Sequence, residues 1–438
     1  MKTTVGKFFV QNFGCRATQA DGAALEASLA ARGLSQTGER SSADLVVLNT
    51  CTVTVSADDD VRQTIRRVHR ENPEARILVT GCYAQRAPEE LAAMPGVEWV
   101  VGNSHKHAIP ELIAPAGQDA PYHGNIHVGD IFGQQSFLSA PVEDASGDRT
   151  RPNLKIQDGC NNRCSFCIIP FVRGRSRGMA ADEVVAAVGR LALRNREVVL
   201  TGINLGRWGR EPGSTLRLAG LIRRLLAETT IARLRLSSVE PMDFSDELLE
   251  LMAGNARIAA HVHAPLQSGS DRILRRMHRR YRPRHYADRI EKARRLMPDA
   301  AIGADVMVGF PGETEGDFAE SRQFIERLPF TYLHVFTYSE RPGTPAAEEP
   351  LAVPMAVRKE RNRALRELAE RKNLEFRRRM LGRTLSAVTL HERAAAITGN
   401  YLKVQLAAPR DANEMVDVHI GSLTNDGLRE SAAPLSRA

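Results

Sequence analysis

Six cysteines set the chemistry open to this chain: Cys15, Cys51, Cys82, Cys160, Cys164 and Cys167. The last three share one run, Cys160-Asn-Asn-Arg-Cys164-Ser-Phe-Cys167, with C-x3-C-x2-C spacing. Three thiolates on one loop can hold three irons of a cubane cluster. No other cysteine lies nearby, so the fourth iron is left open to a visiting ligand. A structural zinc loop is the competing reading, but it wants four ligands, usually in paired C-x2–4-C spacing. Only His261 or His263 could complete it. Cys15, Cys51 and Cys82 repeat the arithmetic of three thiols and no fourth. Their bland alternative is three inert, buried cysteines, yet each adjoins turn-forming residues: Gly14, then Thr50 and Thr52, then Gly81. Disulfide frameworks belong to small secreted chains that lack a core, and a chain of 438 residues is not small.

The elements that must carry these thiols follow from hydrophobic pattern. Short β-rich runs occupy 7–13, 45–49, 77–80 and 99–101, with helical stretches between them. Strand–helix–strand order implies a parallel sheet. Cys15, Cys51 and Cys82 each follow one of its strands, and open parallel sheets gather ligands outside their strand carboxyl ends. The three should therefore converge on one edge. Residues 117–150 are rich in Gly, Pro, Asp and Ser and read as a linker with one hairpin near 125–132. From Pro152 the alternation resumes, with strands expected at 154–157, 197–200, 233–237, 261–266, 304–308 and 333–337. Six βα units fit a partial (β/α) barrel with its site at the strand C-termini; a doubly wound sheet fits the same pattern. A long helix is expected over 354–379. Short strands at 386–390, 401–406 and 415–420 then suggest a small all-β module.

Composition narrows the class. Hydrophobic residues make up 42% and charged residues 26%, which excludes a disordered chain. No apolar stretch of about 18 residues is present, and the first apolar run is too short for a secretory signal. A cytoplasmic protein without a membrane segment is expected. The net charge of +8 permits a polyanionic partner. Arg272, Arg275, Arg276, Arg279, Arg280, Arg282 and Arg284 fall in thirteen residues without an acid. Residues 358–383 carry eleven Lys/Arg against four Glu and include Arg377 and Arg378. Both clusters are candidate phosphate-contacting surfaces, with solvated helix faces as the plain alternative.

Several motifs together carry a family resemblance. Asn12-Phe-Gly-Cys15, Leu48-Asn-Thr-Cys51-Thr-Val53 and Val79-Thr-Gly-Cys82-Tyr-Ala-Gln85 resemble the N-terminal domain of the radical S-adenosylmethionine (SAM) methylthiotransferases. Asp158-Gly-Cys160 through Pro170-Phe-Val-Arg173-Gly174 resembles their radical SAM core, as do His263–Ser270, Val308–Thr314 and Tyr338–Pro345. The resemblance implies an α/β fold: an N-terminal open parallel α/β sheet, a central partial (β/α)6 barrel and a small all-β, TRAM-like module at the C-terminus. Implied domains are 1–116, a linker 117–150, a core 151–380 and the module 381–438. It further implies two [4Fe–4S] clusters, on Cys15/Cys51/Cys82 and Cys160/Cys164/Cys167, with two SAM per turnover. One SAM would methylate a sulfur on the first cluster; the second would be cleaved at the other to give a 5′-deoxyadenosyl radical.

Within the family the chain is most similar to the branch acting on N6-threonylcarbamoyladenosine at position 37 of tRNA, beside the anticodon. It departs from that branch at Cys15-Arg-Ala-Thr-Gln. The implied partners are the tRNA anticodon loop, an electron donor such as flavodoxin or ferredoxin, and a sulfur source. Isopentenyladenosine in tRNA and a ribosomal-protein aspartate are the alternative substrates, and an RNA-binding iron–sulfur sensor without turnover is the non-enzyme alternative. Around SAM the expected contacts are Phe166, Gly202, Asn204, Gln267, Ser268 and Gly309, the last as a close approach to adenine. Ordinary turn chemistry competes at each. The module is not basic, with five Lys/Arg against six Asp/Glu from Leu385 onward.

Overall fold

A computed structural model describes residues 6–113, 125–133 and 150–431. Most of the linker expected at 117–150 lies outside these residues.

The first sheet contains β1 (Lys7–Asn12), β2 (Ser35–Gln36), β3 (Leu45–Thr50), β4 (Arg76–Gly81), β5 (Val97–Gly102) and β6 (Ile126–His127), in the order β2-β1-β3-β4-β5-β6. All its pairings are parallel. β3, LVVLNT, is buried along its whole length, as a strand covered on both faces must be. Helices α1 (Arg16–Ala31) and α2 (Val55–Glu71) cover opposite faces, since Leu25 and Leu29 pack with Val47 while Val61 and Ile65 pack with Val46 and Leu48. The hairpin expected at 125–132 does not form. Ile126–His127 instead pairs parallel with β5 as an edge strand, so the chain must cross over rather than turn back.

The second unit is an arc of six parallel strands: β7 (Asn153–Asp158), β9 (Glu197–Gly202), β10 (Arg233–Leu236), β11 (His261–His263), β12 (Ala301–Val308) and β13 (Tyr332–Thr337). The two-residue β8 (Arg177–Gly178) pairs antiparallel on the outer edge of β7. A narrow bridge joins β10 to β11, with Leu234 N donating to Arg257 O at 2.7 Å and Ala259 N to Leu234 O at 2.8 Å. Strand order follows chain order without a reversal, which selects an open barrel over a doubly wound sheet. Period-2 alternation separates its faces. Leu234, Leu236, Val262, Ile302, Ala304 and Val306 join the core under the helices. Arg233, Arg235, His261, His263, Asp305, Tyr332 and His334 alternate with such residues and line the lumen.

The helix Met355–Arg378 leads into a closed five-stranded barrel of β14 (Thr384–Thr389), β15 (Ala395–Thr398), β16 (Lys403–Gln405), β17 (Met415–Leu423) and β18 (Leu428–Glu430). Sequence pattern missed β15 and β18, which at four and three residues are too short to show alternation. The module seats on the arc. Arg235 donates to the carbonyls of Thr398 (2.9 Å) and Gly399 (3.1 Å), and Arg233 to Ser386 Oγ (2.8 Å).

Ion pairs at two places join the open side of the arc to the N-terminal sheet. At β7, Asp21 of α1 pairs with Lys155 and with Arg173. Beyond β13, Arg341 reaches Asp58 of α2 at 2.6 Å and Ser339 Oγ accepts from Val55 N at 3.0 Å.

Candidate functional site

Cys15, Cys51 and Cys82 stand at the carboxyl ends of the adjacent strands β1, β3 and β4. Cys15 is the N-cap of α1, Cys51 follows β3 and Cys82 opens the short helix Cys82–Arg86. Gly14 and Gly81 take left-handed backbone (φ 91° and 101°). A Cβ on Gly14 would lie 2.5 Å from Cys51 Cβ, so only glycine lets the Cys15 turn settle on Cys51. Cys15 is exposed, whereas Cys51 and Cys82 are buried. Burial, and the neighbouring Cys82 and Cys15, push the Cys51 thiol up to about 12. Three thiols gathered at one sheet edge can serve together as thiolate ligands to a metal cation.

The environment supplies donors suited to such thiolates. Arg173, buried, donates through Nε to Cys82 Sγ at 3.3 Å. Its other nitrogens reach Asp158 (3.0 Å) and Asp21 (3.0 Å). Asn103 Nδ2 adds a longer contact to Cys82 Sγ at 3.6 Å. Lys106 and Lys155 complete the buried group around Asp21. Burial would raise the Asp21 carboxyl, but Lys106, Lys155 and Arg173 outweigh it and hold it well below its ordinary range.

The second trio lies on the loop after β7. Burial, then Cys164, pushes Cys167 up to about 12. Arg279 Nη1 donates to Cys164 Sγ at 3.3 Å and its Nη2 pairs with Glu240. Asn162 N lies 3.4 Å from Cys160 Sγ. Asn204, just beyond β9, directs Nδ2 toward the same sulfur at 3.8 Å. Asn204 Oδ1 is buried without a partner among the described residues. An unsatisfied acceptor beside Cys160 fits an ammonium-bearing ligand such as SAM. Three thiols with N–H donors and an orphaned acceptor therefore suit a cluster with an open iron.

Other expected contacts sort differently. Gly202 ends β9, and a Cβ there would press on Gln157 at 2.9 Å. Gln267 keeps φ at 63° and bridges to Val306, at the level of the lumen. Ser268 is corrected: its hydroxyl is 2.9 Å from Ser321 Oγ and accepts from Ser270 N, so it is used within the protein rather than offered to a ribose. The stated reason for Gly309 is also corrected. With φ 74° it faces the Arg358 stem where a Cβ would stand, so backbone conformation and packing both demand glycine there. Phe166 turns edge-on to Phe310 at 6.5 Å, in a cluster with Ile273 and Met277.

Two arginines expected at RNA are buried instead. Arg279 serves Cys164 and Glu240 as above, and Arg377 donates to the carbonyls of Thr424 (2.9 Å) and Asn425 (3.2 Å). Neither can meet a phosphate. Arg276 is half-buried and paired with Glu349. Arg275, Arg280 and Arg378 are exposed. The run 272–284 lacks acids in sequence, but Asp271 just before it pairs with Arg275, and folding brings it Glu240, Asp317 and Glu349.

Sequence reasoning assigned no role to Arg173, Asp21, Asp158, Lys155 and Glu240. Arg173 and Asp158 lay within the motif around Cys160, and that position was the available signal. It also missed Asp305 and His334, and weighed His263 only as a zinc ligand beside the cysteines; the ligand atoms of these three lie within 4.8 Å of one another in the lumen.

An open parallel barrel with a three-cysteine loop after its first strand is the arrangement of a radical SAM enzyme. The radical SAM superfamily matches residues 154–325, and residues 7–102 match a family described as uncharacterized protein family UPF0004. The chain is similar to the threonylcarbamoyladenosine tRNA methylthiotransferase MtaB of Aquifex aeolicus, at 36% identity over 94% of this chain and 100% of that one. The Bacillus subtilis protein of the same name is 37% identical over 91% and 90%. A tRNA-2-methylthio-N(6)-dimethylallyladenosine synthase of Syntrophomonas wolfei is 35% identical over 81% and 80%. Among solved structures, the radical SAM methyltransferase TsrM of Kitasatospora setae shares the fold, with TM-score 0.56 and 16% identity over 79% of this chain and 77% of that one. The chain belongs to the radical SAM tRNA methylthiotransferase family. It is an enzyme that uses SAM and [4Fe–4S] clusters, with tRNA as substrate. No helix among the described residues is long and apolar enough to cross a membrane.

Proposed function

We propose that this enzyme places a methylthio group on C2 of N6-threonylcarbamoyladenosine at position 37 of tRNA. The observation that carries the choice of base is the lumen. Arg151, Arg233 and Arg235 converge on the single carboxylate of Glu197. His263, Asp305 and His334 line the next strands. Such a wall suits a charged, hydrogen-bonding N6 substituent, because an apolar dimethylallyl group would strand these polar side chains. The dimethylallyl reading keeps its support from the relatives of that name.

In this reading Cys15, Cys51 and Cys82 hold the auxiliary cluster, and Cys160, Cys164 and Cys167 the cluster that receives SAM. Bound there, these groups supply the sulfur, the methyl group and the one-electron cleavage that the transfer needs. The protein's own part is positional. Arg173 and Asn103 donate to Cys82 Sγ, and Arg279, fixed by Glu240, donates to Cys164 Sγ. Asn204 Oδ1 orients the SAM ammonium, and Gln267 borders the same space. Arg275, Arg280 and Arg378 meet phosphates at the surface. An external reductant and a sulfur source complete the cycle.

Deleting the gene and analysing tRNA nucleosides by mass spectrometry tests the base. Loss of methylthio-threonylcarbamoyladenosine alone supports the proposal; loss of the dimethylallyl form instead rejects it. Replacing the first trio by alanine should remove about half the iron while 5′-deoxyadenosine formation from SAM persists. Unchanged iron would reject the ligand assignment.

A further inference from the structure

We propose that a cavity of about 760 Å³ between α1, the starts of β7 and β9 and the C-terminal module seats the acidic N6 substituent of the target base, with Arg16 as its carboxylate anchor. The inference rests on the threonylcarbamoyladenosine reading. Arg16, Gln19, Arg151, Asn153, Glu392 and Tyr401 line the cavity.

Arg16 occupies the residue after Cys15, so its guanidinium is tethered to the sulfur-bearing end of the site. Arg16 Nη2 donates to Tyr401 Oη at 3.0 Å, which fixes the fork. Arg16 Nη1 is buried and has no partner among the described residues. A guanidinium with one nitrogen held and the other unfilled is prepared for an incoming oxyanion. The acids nearby are already engaged. Glu392 pairs with Lys403 at 3.0 Å, and Glu197 is shared by Arg151, Arg233 and Arg235. Positive potential remains. Burial, then Arg235 and Arg16, hold the neighbouring His261 imidazole far below its ordinary range, hence neutral. An anion is the missing member of this group.

A backbone phosphate offers the same charge, so the test must separate the two sources. Reconstituted holoenzyme is titrated with two anticodon stem–loops, one carrying threonylcarbamoyladenosine and one its carboxamide analogue. Wild type should favour the acid about tenfold or more, the usual worth of a charged hydrogen bond. Arg16→Gln should bind both alike, and Arg16→Lys should keep part of the preference. Should Arg16→Gln lose its cluster, Tyr401→Phe, which frees the fork, carries the test and should cut the preference several-fold. An undiminished preference in the variants that hold both clusters overturns the proposal. Equal weakening toward both RNAs also overturns it, in favour of phosphate contact. Wild type that does not distinguish acid from carboxamide sinks the base assignment as well.

Discussion

Arg173 joins a cysteine of one trio to the acid that precedes the other, since it touches Cys82, Asp158 and Asp21 at once. Its removal takes one cation from each of two buried carboxylates. Asp21 keeps Lys106 and Lys155, and Asp158 keeps Lys155 and Arg177, so the cost stays below the roughly 3–5 kcal/mol of a fully stranded buried charge. Arg173→Gln should therefore lower the melting temperature and deplete iron at the first trio before the second, as read by iron counting in single-trio backgrounds. Arg279 separates two roles. As a donor to Cys164 its loss should impair SAM cleavage while leaving tRNA affinity intact; filter binding and 5′-deoxyadenosine yield tell this from a phosphate contact. The cysteines were legible because their spacing is a local property. The donors were not, because Arg279 lies far along the chain from Cys164, and its acid-free neighbourhood in sequence acquires Glu240 only on folding.

On β9 and β10, one buried carboxylate answers three guanidiniums. Burial alone would raise Glu197, but Arg235, then Arg151 and Arg233, bring it down to about 2 from an ordinary 4.5. A lowered carboxyl contributes stability that is complete above its unfolded value and is lost as pH falls toward the folded one. The window is therefore about 4.5 down to 2, worth roughly 3 kcal/mol. Glu197→Gln should be less stable at neutral pH and show a flatter acid unfolding curve in that window. All six strands of the arc could be read from their apolar residues. The role of the alternating polar residues could not: Arg-Leu-Arg-Leu in β10 reads as one wet face, and only strand order reveals that face as a lumen. The hairpin at 125–132 failed for a related reason, since a two-residue edge strand takes its direction from β5 rather than from its own sequence.

The three units hold one another. The C-terminal module, which is not basic, docks on protein: its Thr398 and Gly399 carbonyls receive Arg235 from the arc. Deleting residues 385–438 should thus lower the melting temperature of the remainder and not merely weaken tRNA binding; calorimetry beside an RNA-binding assay distinguishes these. At the far edge, Asp58→Ala would free Arg341 and Arg86 together. It should raise protease sensitivity between the N-terminal sheet and the arc while leaving iron bound.

The clasps at Asp21 and Asp58 grip opposite rims of the same arc. A plate fastened along both margins cannot rock about either one without tearing the other. The fold thus sets where the two thiol triads stand, and it is the nucleotide that must travel, swinging out of its own loop to reach them.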